Sequence, residues 1–450
     1  MPATLPPGPT AARAVQGARA LLADRHGFPR LRRRYGDAFT IDVPIFGKAV
    51  VLSSPDDVKQ LFTTNPALVE APEPNLGRIL GSSSFFSLTG QQHHAQRKLL
   101  VPPFHGRRLA AYDAIIERET LREIATWPRG REFPVLPSTM RITLEVILRA
   151  VFGAAGSELD RLRDLLPQFV TLGSRLATAP VPRRGLGRWN PWRRFEALRA
   201  AYDAIVDELI ARAQQDPALD ERDDVLALML QARYDDGSPM TRDEVADQLV
   251  TLLSAGHETT AASLAWAVER LRRHPRVLAD LVAEVDEDGT ALRDATLTEV
   301  QRSRPVVDQT ARRTTREVQI GRWTIPPDWT VVAAISLLHH DESVFTDPER
   351  FDPSRFLGAK PDLYQWVPYG GGNRRCLGAT FASREMNIVL RTVLREVSLA
   401  PTQDRGERWR SRGVANAPAK GGLAVVHDRR STVAQAGSGG HARESSTPAT

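Results

Sequence analysis

The segment Tyr369-Gly370-Gly371-Gly372-Asn373-Arg374-Arg375-Cys376-Leu377-Gly378 decides how the rest of the chain is read. Three adjacent glycines let a backbone take positive φ and approach a neighbouring group closely. They lead into Cys376, the single cysteine of the chain. Beyond it Ala382, Met386, Val389, Leu390, Val393 and Leu394 recur at helical spacing, which predicts an amphipathic helix from Leu377. A cysteine just before a first helical turn meets free N–H groups and the positive end of the helix dipole. Both favour thiolate over thiol, so the pKa is expected to fall from about 8.5. A buried inert cysteine and a Gly-rich anion loop are the other readings such a segment allows.

Upstream, Thr241-Arg242-Asp243-Glu244 is a capping box, and Val245, Leu249, Leu252 and Leu253 continue one apolar stripe from it. The helix is predicted to run to Arg273 and stop at His274-Pro275. Such a helix is about 48 Å long at 1.5 Å per residue, enough to cross a domain. Its middle reads Ala255-Gly256-His257-Glu258-Thr259-Thr260. Glycine and two β-branched threonines weaken a helix there, and threonine hydroxyls can bond a carbonyl one turn back, so a local opening is expected.

The cysteine segment resembles the cytochrome P-450 pattern aromatic-x-x-Gly-x-Arg-x-Cys-x-Gly, through Tyr369, Gly372, Arg374, Cys376 and Gly378. The usual aromatic is Phe, so Tyr369 is a departure. The helix centre is similar to the family's Ala-Gly-x-acid-Thr-Thr motif. The resemblance spans about residues 5–427 and implies one domain, with residues 428–450 a disordered tail. It implies a mainly α fold with minor β, a triangular helical domain plus a small β-rich region. It further implies haem b (iron protoporphyrin IX) held by the Cys376 thiolate, a ligand that donates electron density favouring O–O cleavage. Glu258 and Thr259 are then expected to deliver protons to bound dioxygen, a step that needs a carboxylate–hydroxyl relay where water is mostly excluded.

Other matched positions carry supporting roles. Glu299-Val300-Gln301-Arg302 resembles the family's Glu-x-x-Arg, and Phe351-Asp352-Pro353-Ser354-Arg355-Phe356 supplies the second arginine. The resemblance implies that Glu299, Arg302 and Arg355 lock the loop carrying Cys376. The filler Val300-Gln301 departs from the common Thr-Leu. His93 and Arg97, four apart and so on one helix face, resemble a pair that binds a haem propionate. Arginine suits a carboxylate through its planar fork. Arg312 or its neighbour Arg313 is expected to add a propionate contact, and Arg374 matches a position that does so too. By analogy, Phe85-Phe86, Leu252, Leu253, Ala255, Val306-Val307 and Val414 to Ala417 line a pocket for a hydrophobic small-molecule substrate.

With 450 residues and 42% hydrophobic content the chain can bury a large core. Thr40 to Ser53 is β-branched and alternating with a break at 44–47, a predicted hairpin, and Val318–Ile320 and Trp323–Ile325 flank a Gly-Arg turn. Most of 55–305 has helical periodicity, 341–375 is a long irregular loop, and no internal repeat is found. The net charge of +6 is spread through mixed sequence, so a nucleic-acid partner is not expected. Trp189 and Trp192 lie in a basic, Gly/Pro-broken stretch whose readings are a packed surface loop, a lid edge or a membrane contact. One cysteine excludes an internal disulfide, and with no apolar run of 18 residues and no leader pattern the expected site is the cytoplasm. The chain has no nucleotide-binding glycine fingerprint, so electrons are expected from a ferredoxin or flavodoxin, with Arg374, Arg375, Arg384 and Arg391 as a docking patch on a monomer. Rival readings are a peroxygenase or isomerase, a non-catalytic haem sensor or carrier, and a basic helical nucleic-acid binder.

Overall fold

The computed structural model describes residues 4–16, 27–43, 47–72, 76–104, 106, 108–153, 156–178 and 187–430. Its organising element is the helix Arg242–Arg273. Both boundaries agree with the sequence signals. The Thr241 side chain accepts from the Glu244 backbone, the Glu244 side chain accepts from the Thr241 backbone, and the helix ends at His274 before Pro275. Leu249, Leu253, Leu264, Trp266 and Leu271 on this helix are fully or almost fully buried. Each such side chain removed from water stabilises the fold by roughly 1.5–3 kcal/mol.

The helix Leu136–Phe152 runs against it so closely that side-chain hydroxyls reach across to main-chain carbonyls. Thr139 Oγ1 donates to Ala261 O at 3.0 Å, and Thr143 Oγ1 donates to His257 O at 3.0 Å. At Gly256 an added Cβ would sit 3.3 Å from Ile147 Cδ1, so glycine permits the approach. Helices Ala291–Ser303 and Ala379–Glu396 cover other faces of the central helix.

The β structure forms one five-stranded sheet and four two-stranded ones among the described residues. Ala38–Val43 pairs antiparallel with Gly47–Leu52, the hairpin expected from the alternating residues. Gly47–Leu52 then pairs in parallel with Thr330–Ala333, which pairs antiparallel with Thr310–Thr314, and that strand with Val69–Glu70. Val318–Ile320 and Trp323–Ile325 form a separate two-stranded sheet around Gly321, whose φ is +56°. A hairpin of Trp409–Ser411 and Asn416–Pro418 projects toward the central helix. The last strand, Val426–Arg429, pairs with Val397–Leu399. The chain is therefore ordered past residue 427, because main-chain pairing carries it on; the rest of the expected tail, 431–450, lies outside the described residues.

The helical core also buries His257 and His339. Burial holds His257 down to about 4, with a smaller contribution from Arg412, and His339 down to about 3, with His340 and Arg302 adding to it. The unfolded chain, with histidines near 6.5, binds more protons than the folded one below that value. The histidines' contribution to the stability of the haem-free protein is therefore expected to be level above pH 6.5 and to fall steadily as pH drops toward 4. Denaturant midpoints between pH 7.5 and 4.5 check this, and a profile that stays level below pH 6 contradicts it.

Candidate active site

The segment 369–378 contains a 3-10 turn at Gly372–Arg374 and leads directly into the helix Ala379–Glu396. The helix thus starts three residues beyond Cys376. Gly370 and Gly372 take φ of +66° and +65°, the left-handed region where a Cβ is strained. A Cβ on Gly371 would collide with the Phe62 ring, and one on Gly372 with the Phe62 carbonyl. The glycines are thus set by contact with the helix Pro55–Thr63. Beside Gly378, by contrast, a Cβ would meet no atom within 4 Å. The Cys376 backbone N–H donates to Tyr369 O at 3.0 Å, closing the loop.

Cys376 has an accessible side chain yet is ringed by protein, as befits the wall of an internal cleft. The expected fall in its pKa is not what the structure gives. Burial raises the thiol, outweighing the Gly378 N–H and the cations of Arg375 and Arg97 that favour thiolate. The helix-end argument counted donors and omitted desolvation, which acts against any anion. Ligation to a metal ion would supply the compensating positive charge.

A cationic cluster flanks this loop. His93 is 2% exposed, with its Nε2 lacking a hydrogen-bond partner. Burial lowers it to about 3, and Arg374, Arg97 and Arg312 push it in the same direction. Arg312 is 4% exposed and lowered to about 10 by burial and then by Arg374. It donates to Gly371 O at 3.1 Å. Arg97 donates to Arg375 O at 2.9 Å, and Arg374 to Leu88 O at 2.6 Å. None of these three arginines forms an ion pair with a carboxylate among the described residues. Arg313 instead pairs with Asp328 at 2.7 Å, so Arg312 is the arginine that joins the cluster. Three buried or half-buried cations around an orphaned imidazole suit a group bearing two carboxylates. The residues present therefore fit haem b: His93, Arg97, Arg312 and Arg374 would hold its propionates and Cys376 its iron.

The central helix keeps one accessible stripe at its middle. Leu252, Gly256 and Thr259 are half-buried and Ala255 is exposed, while Leu253, His257, Glu258 and Thr260 are buried. That spacing is one face of a helix. The helix runs unbroken through it, so the expected local opening is absent; a regular hydrogen-bond ladder is compatible with glycine and threonine when packing holds both sides. The Thr259 hydroxyl does bond one turn back, to Ala255 O at 2.8 Å. Glu258 is paired with Arg412, whose Nε donates to Oε1 at 2.5 Å. Arg412 comes from the tip of the 409–418 hairpin, where Val414 N donates to Ser174 Oγ at 2.9 Å. Nothing in the sequence around residue 412 marks it as the partner of a glutamate 154 positions earlier.

The loop Ser83–Phe86 is tied to the same helix. Phe85 N donates to Gln248 Oε1 at 3.2 Å, and Ser84 and Thr251 hydroxyls lie 2.8 Å apart. Phe85 in turn stacks near His93 at 4.1 Å and under Arg97 at 5.8 Å. A continuous set of contacts therefore joins the central helix to the cysteine loop. Of the expected pocket residues, Leu253, Val306, Ala415 and Ala417 are buried in the core, Leu253 on the inward face of the central helix and Ala415 and Ala417 at the 409–418 hairpin. Phe85, Phe86, Leu252, Ala255, Val307 and Val414 retain accessible surface. A separate cavity of about 530 Å³, lined by Tyr112, Leu159, Arg149, Arg212 and Arg222, contains none of the site residues.

Glu299 and Arg302 are both fully buried and form a bidentate pair at 2.6 and 2.7 Å. Arg302 also donates to His339 O, and Asp352 N donates to Glu299 Oε1 at 2.9 Å. Arg355 stands 3.8 Å from Glu299 and donates to Thr346 O and Asp347 O. The three residues thus pin 339–355 to the helix Ala291–Ser303. Glu299→Gln leaves a fully buried guanidinium without its counter-charge, an expected loss of about 3–5 kcal/mol. The guanidinium-chloride midpoint measures it; a shift within experimental scatter contradicts it.

The expected basic docking patch is largely compensated. Arg384 pairs with Asp113 at 2.5 Å and Arg391 with Glu117 at 3.2 Å, because the helix Asp113–Ile124 lies alongside with acids in register. Arg374 turns inward, which leaves Arg375 exposed over the Tyr369 ring. Trp189 is 78% exposed whereas Trp192 is buried under Arg78; residues 179–186 of that stretch lie outside the described residues.

The family model for cytochrome P-450 matches residues 6–424. A Mycobacterium tuberculosis protein described as cytochrome P-450 138 is 51% identical over 426 residues, covering 94% of this chain and 97% of its own. Another from that organism, described as cytochrome P-450 135B1, is 41% identical over 438 residues, covering 95% and 92%. Among solved structures, retinoic-acid-bound cyanobacterial CYP120A1 superposes with a TM-score of 0.83 at 25% identity, covering 94% of this chain and 99% of its own. No helix among the described residues is long and apolar enough to cross a membrane. A glycine-rich cysteine loop, a cluster of unneutralised cations beside it and a long central helix tied to that cluster, together with these likenesses, place the chain in the cytochrome P-450 family, as a monooxygenase whose cofactor is haem b.

Proposed function

We propose that this monooxygenase oxidises a hydrophobic small molecule, with Cys376 as the iron ligand and Glu258 and Thr259 as its proton relay. Haem b, when bound, supplies the redox-active iron that activates dioxygen. The observation that carries the assignment is the set of cations Arg97, Arg312 and Arg374 around His93 beside the Cys376 loop, tied through Phe85 to the helix that bears Glu258 and Thr259. The arginines would hold the propionates of the bound group, and Cys376 would hold its iron. Gly378 directs its N–H at the thiolate and leaves the space beside it clear.

Arg412 occupies Glu258 Oε1 and leaves Oε2 to exchange a proton. The Thr259 hydroxyl spends its one proton on Ala255 O, so its lone pairs accept from a water or substrate hydroxyl in the cleft. Phe85, Phe86, Leu252 and Val307 present apolar surface to substrate, which favours a largely nonpolar molecule. Electrons come from a separate ferredoxin or flavodoxin. The enzyme is taken to act as a cytoplasmic monomer.

Two measurements test this. The reduced protein under carbon monoxide should show a thiolate-type Soret band. Turnover of a hydrophobic library with NADPH and a generic ferredoxin pair should give product carrying one oxygen atom from dioxygen. Product with peroxide alone, and none with the electron donor, would assign a peroxygenase instead.

A further inference from the structure

Two departures from the family's sequence pattern meet in space. Tyr369 stands where phenylalanine is usual, and Gln301 where leucine is usual in the Glu-x-x-Arg filler. Gln301 Nε2 donates to the Tyr369 hydroxyl at 2.7 Å, and that hydroxyl lies 2.9 Å from Ser383 Oγ. An amide nitrogen can only donate, so the phenol oxygen accepts from Gln301, and its remaining proton and lone pair let it either donate to or accept from Ser383. Gln301 is 8% exposed, where an amide without an acceptor is costly. One phenol therefore satisfies a buried side chain on the helix Ala291–Ser303 and joins it to the helix Ala379–Glu396.

The other end of Tyr369 is its carbonyl, which accepts the Cys376 N–H. A second rung lies one turn back on the same helix face, where Trp366 Nε1 donates to Thr298 O at 3.1 Å. The Trp366 and Tyr369 rings meet edge to face at 5.9 Å, and the Arg375 guanidinium covers the Tyr369 ring. Thus the residue whose main chain holds Cys376 is anchored at its side-chain tip to two helices.

We propose that Gln301, Tyr369 and Ser383 form a hydrogen-bonded lock that fixes the cysteine loop, making Tyr369 a positioning residue for the Cys376 thiolate. The inference rests on Cys376 being the iron ligand. Phenylalanine at 369 fills the same space but releases the tip, so the loop can rotate about its remaining main-chain bond. The ligand is then lost more readily.

The test uses the haem-loaded protein and follows the rate at which the thiolate-type ferrous–carbonyl band decays in mild denaturant. Its presence in the wild type checks the ligand assignment separately; a wild type without it overturns that assignment and this lock together. Y369F and Q301L are each expected to speed decay about tenfold, equivalent to one hydrogen bond of about 1.4 kcal/mol. The Y369F/Q301L double variant should decay no faster than Y369F, since both remove one contact. The haem midpoint potential should shift in Y369F and no further in the double variant. Multiplicative effects in the double variant overturn the proposal. So does a Y369F protein with wild-type decay and potential, whether or not its global unfolding midpoint has moved.

Discussion

Cys376→Ser is expected to reduce monooxygenase turnover to background and to abolish the thiolate-type band of the reduced carbonyl complex. The described part of the chain offers no substitute: groups of three or more His, Cys, Asp or Glu able to hold a metal are absent there. Serine keeps the size of the side chain but stays protonated, so it gives iron neither an anion nor the electron density that a thiolate supplies. Haem content should fall only in part, because His93, Arg97, Arg312 and Arg374 still meet the propionates. A serine variant with an unchanged spectrum would remove Cys376 from the mechanism altogether.

Glu258→Gln is expected to slow product formation about 100-fold, within the usual span for removing a positioned acid or base. Glutamine retains the shape and can still accept from Arg412, so the hairpin tip should stay in place, but it cannot carry a proton. NADPH consumption should fall less than product formation, and the solvent deuterium isotope effect should change. Thr259→Ala should act in the same direction, because Ala255 O loses its hydroxyl partner and the cleft loses an acceptor. Full turnover in both variants would show that protons arrive by another route.

The features readable from the sequence are those fixed by near neighbours. The central helix was bounded by a capping box and a His-Pro stop, both complete within a few residues, and its observed ends coincide with them. The Val318–Ile325 hairpin was equally local. The Glu299–Arg302 pair was legible because three residues' spacing already places both on one helix face. The strand Thr310–Thr314 was not, since Thr-Ala-Arg-Arg-Thr has no apolar alternation and gains its pairing from strands far away in sequence. The Arg412–Glu258 pair was missed for the same reason. The direction of the Cys376 shift was misjudged because desolvation depends on what surrounds a group in three dimensions. The docking patch was misjudged because the acids opposite Arg384 and Arg391 belong to a helix some 270 residues earlier.

The parallel alignment of Gly47–Leu52 with Thr330–Ala333 has a consequence for biogenesis. Val51 faces Val332, so the strand emerging early from the ribosome waits about 280 residues for its neighbour. Val50, Val51 and Leu52 are entirely buried in the finished protein and would meanwhile sit on an open edge with only the Ala38–Val43 strand beside them. Unpaired apolar edges recruit other chains, and distant pairings close slowly. Polypeptides ending before residue 330 should therefore aggregate during synthesis, and the nascent protein depends on holding that edge shielded until the second half of the chain arrives.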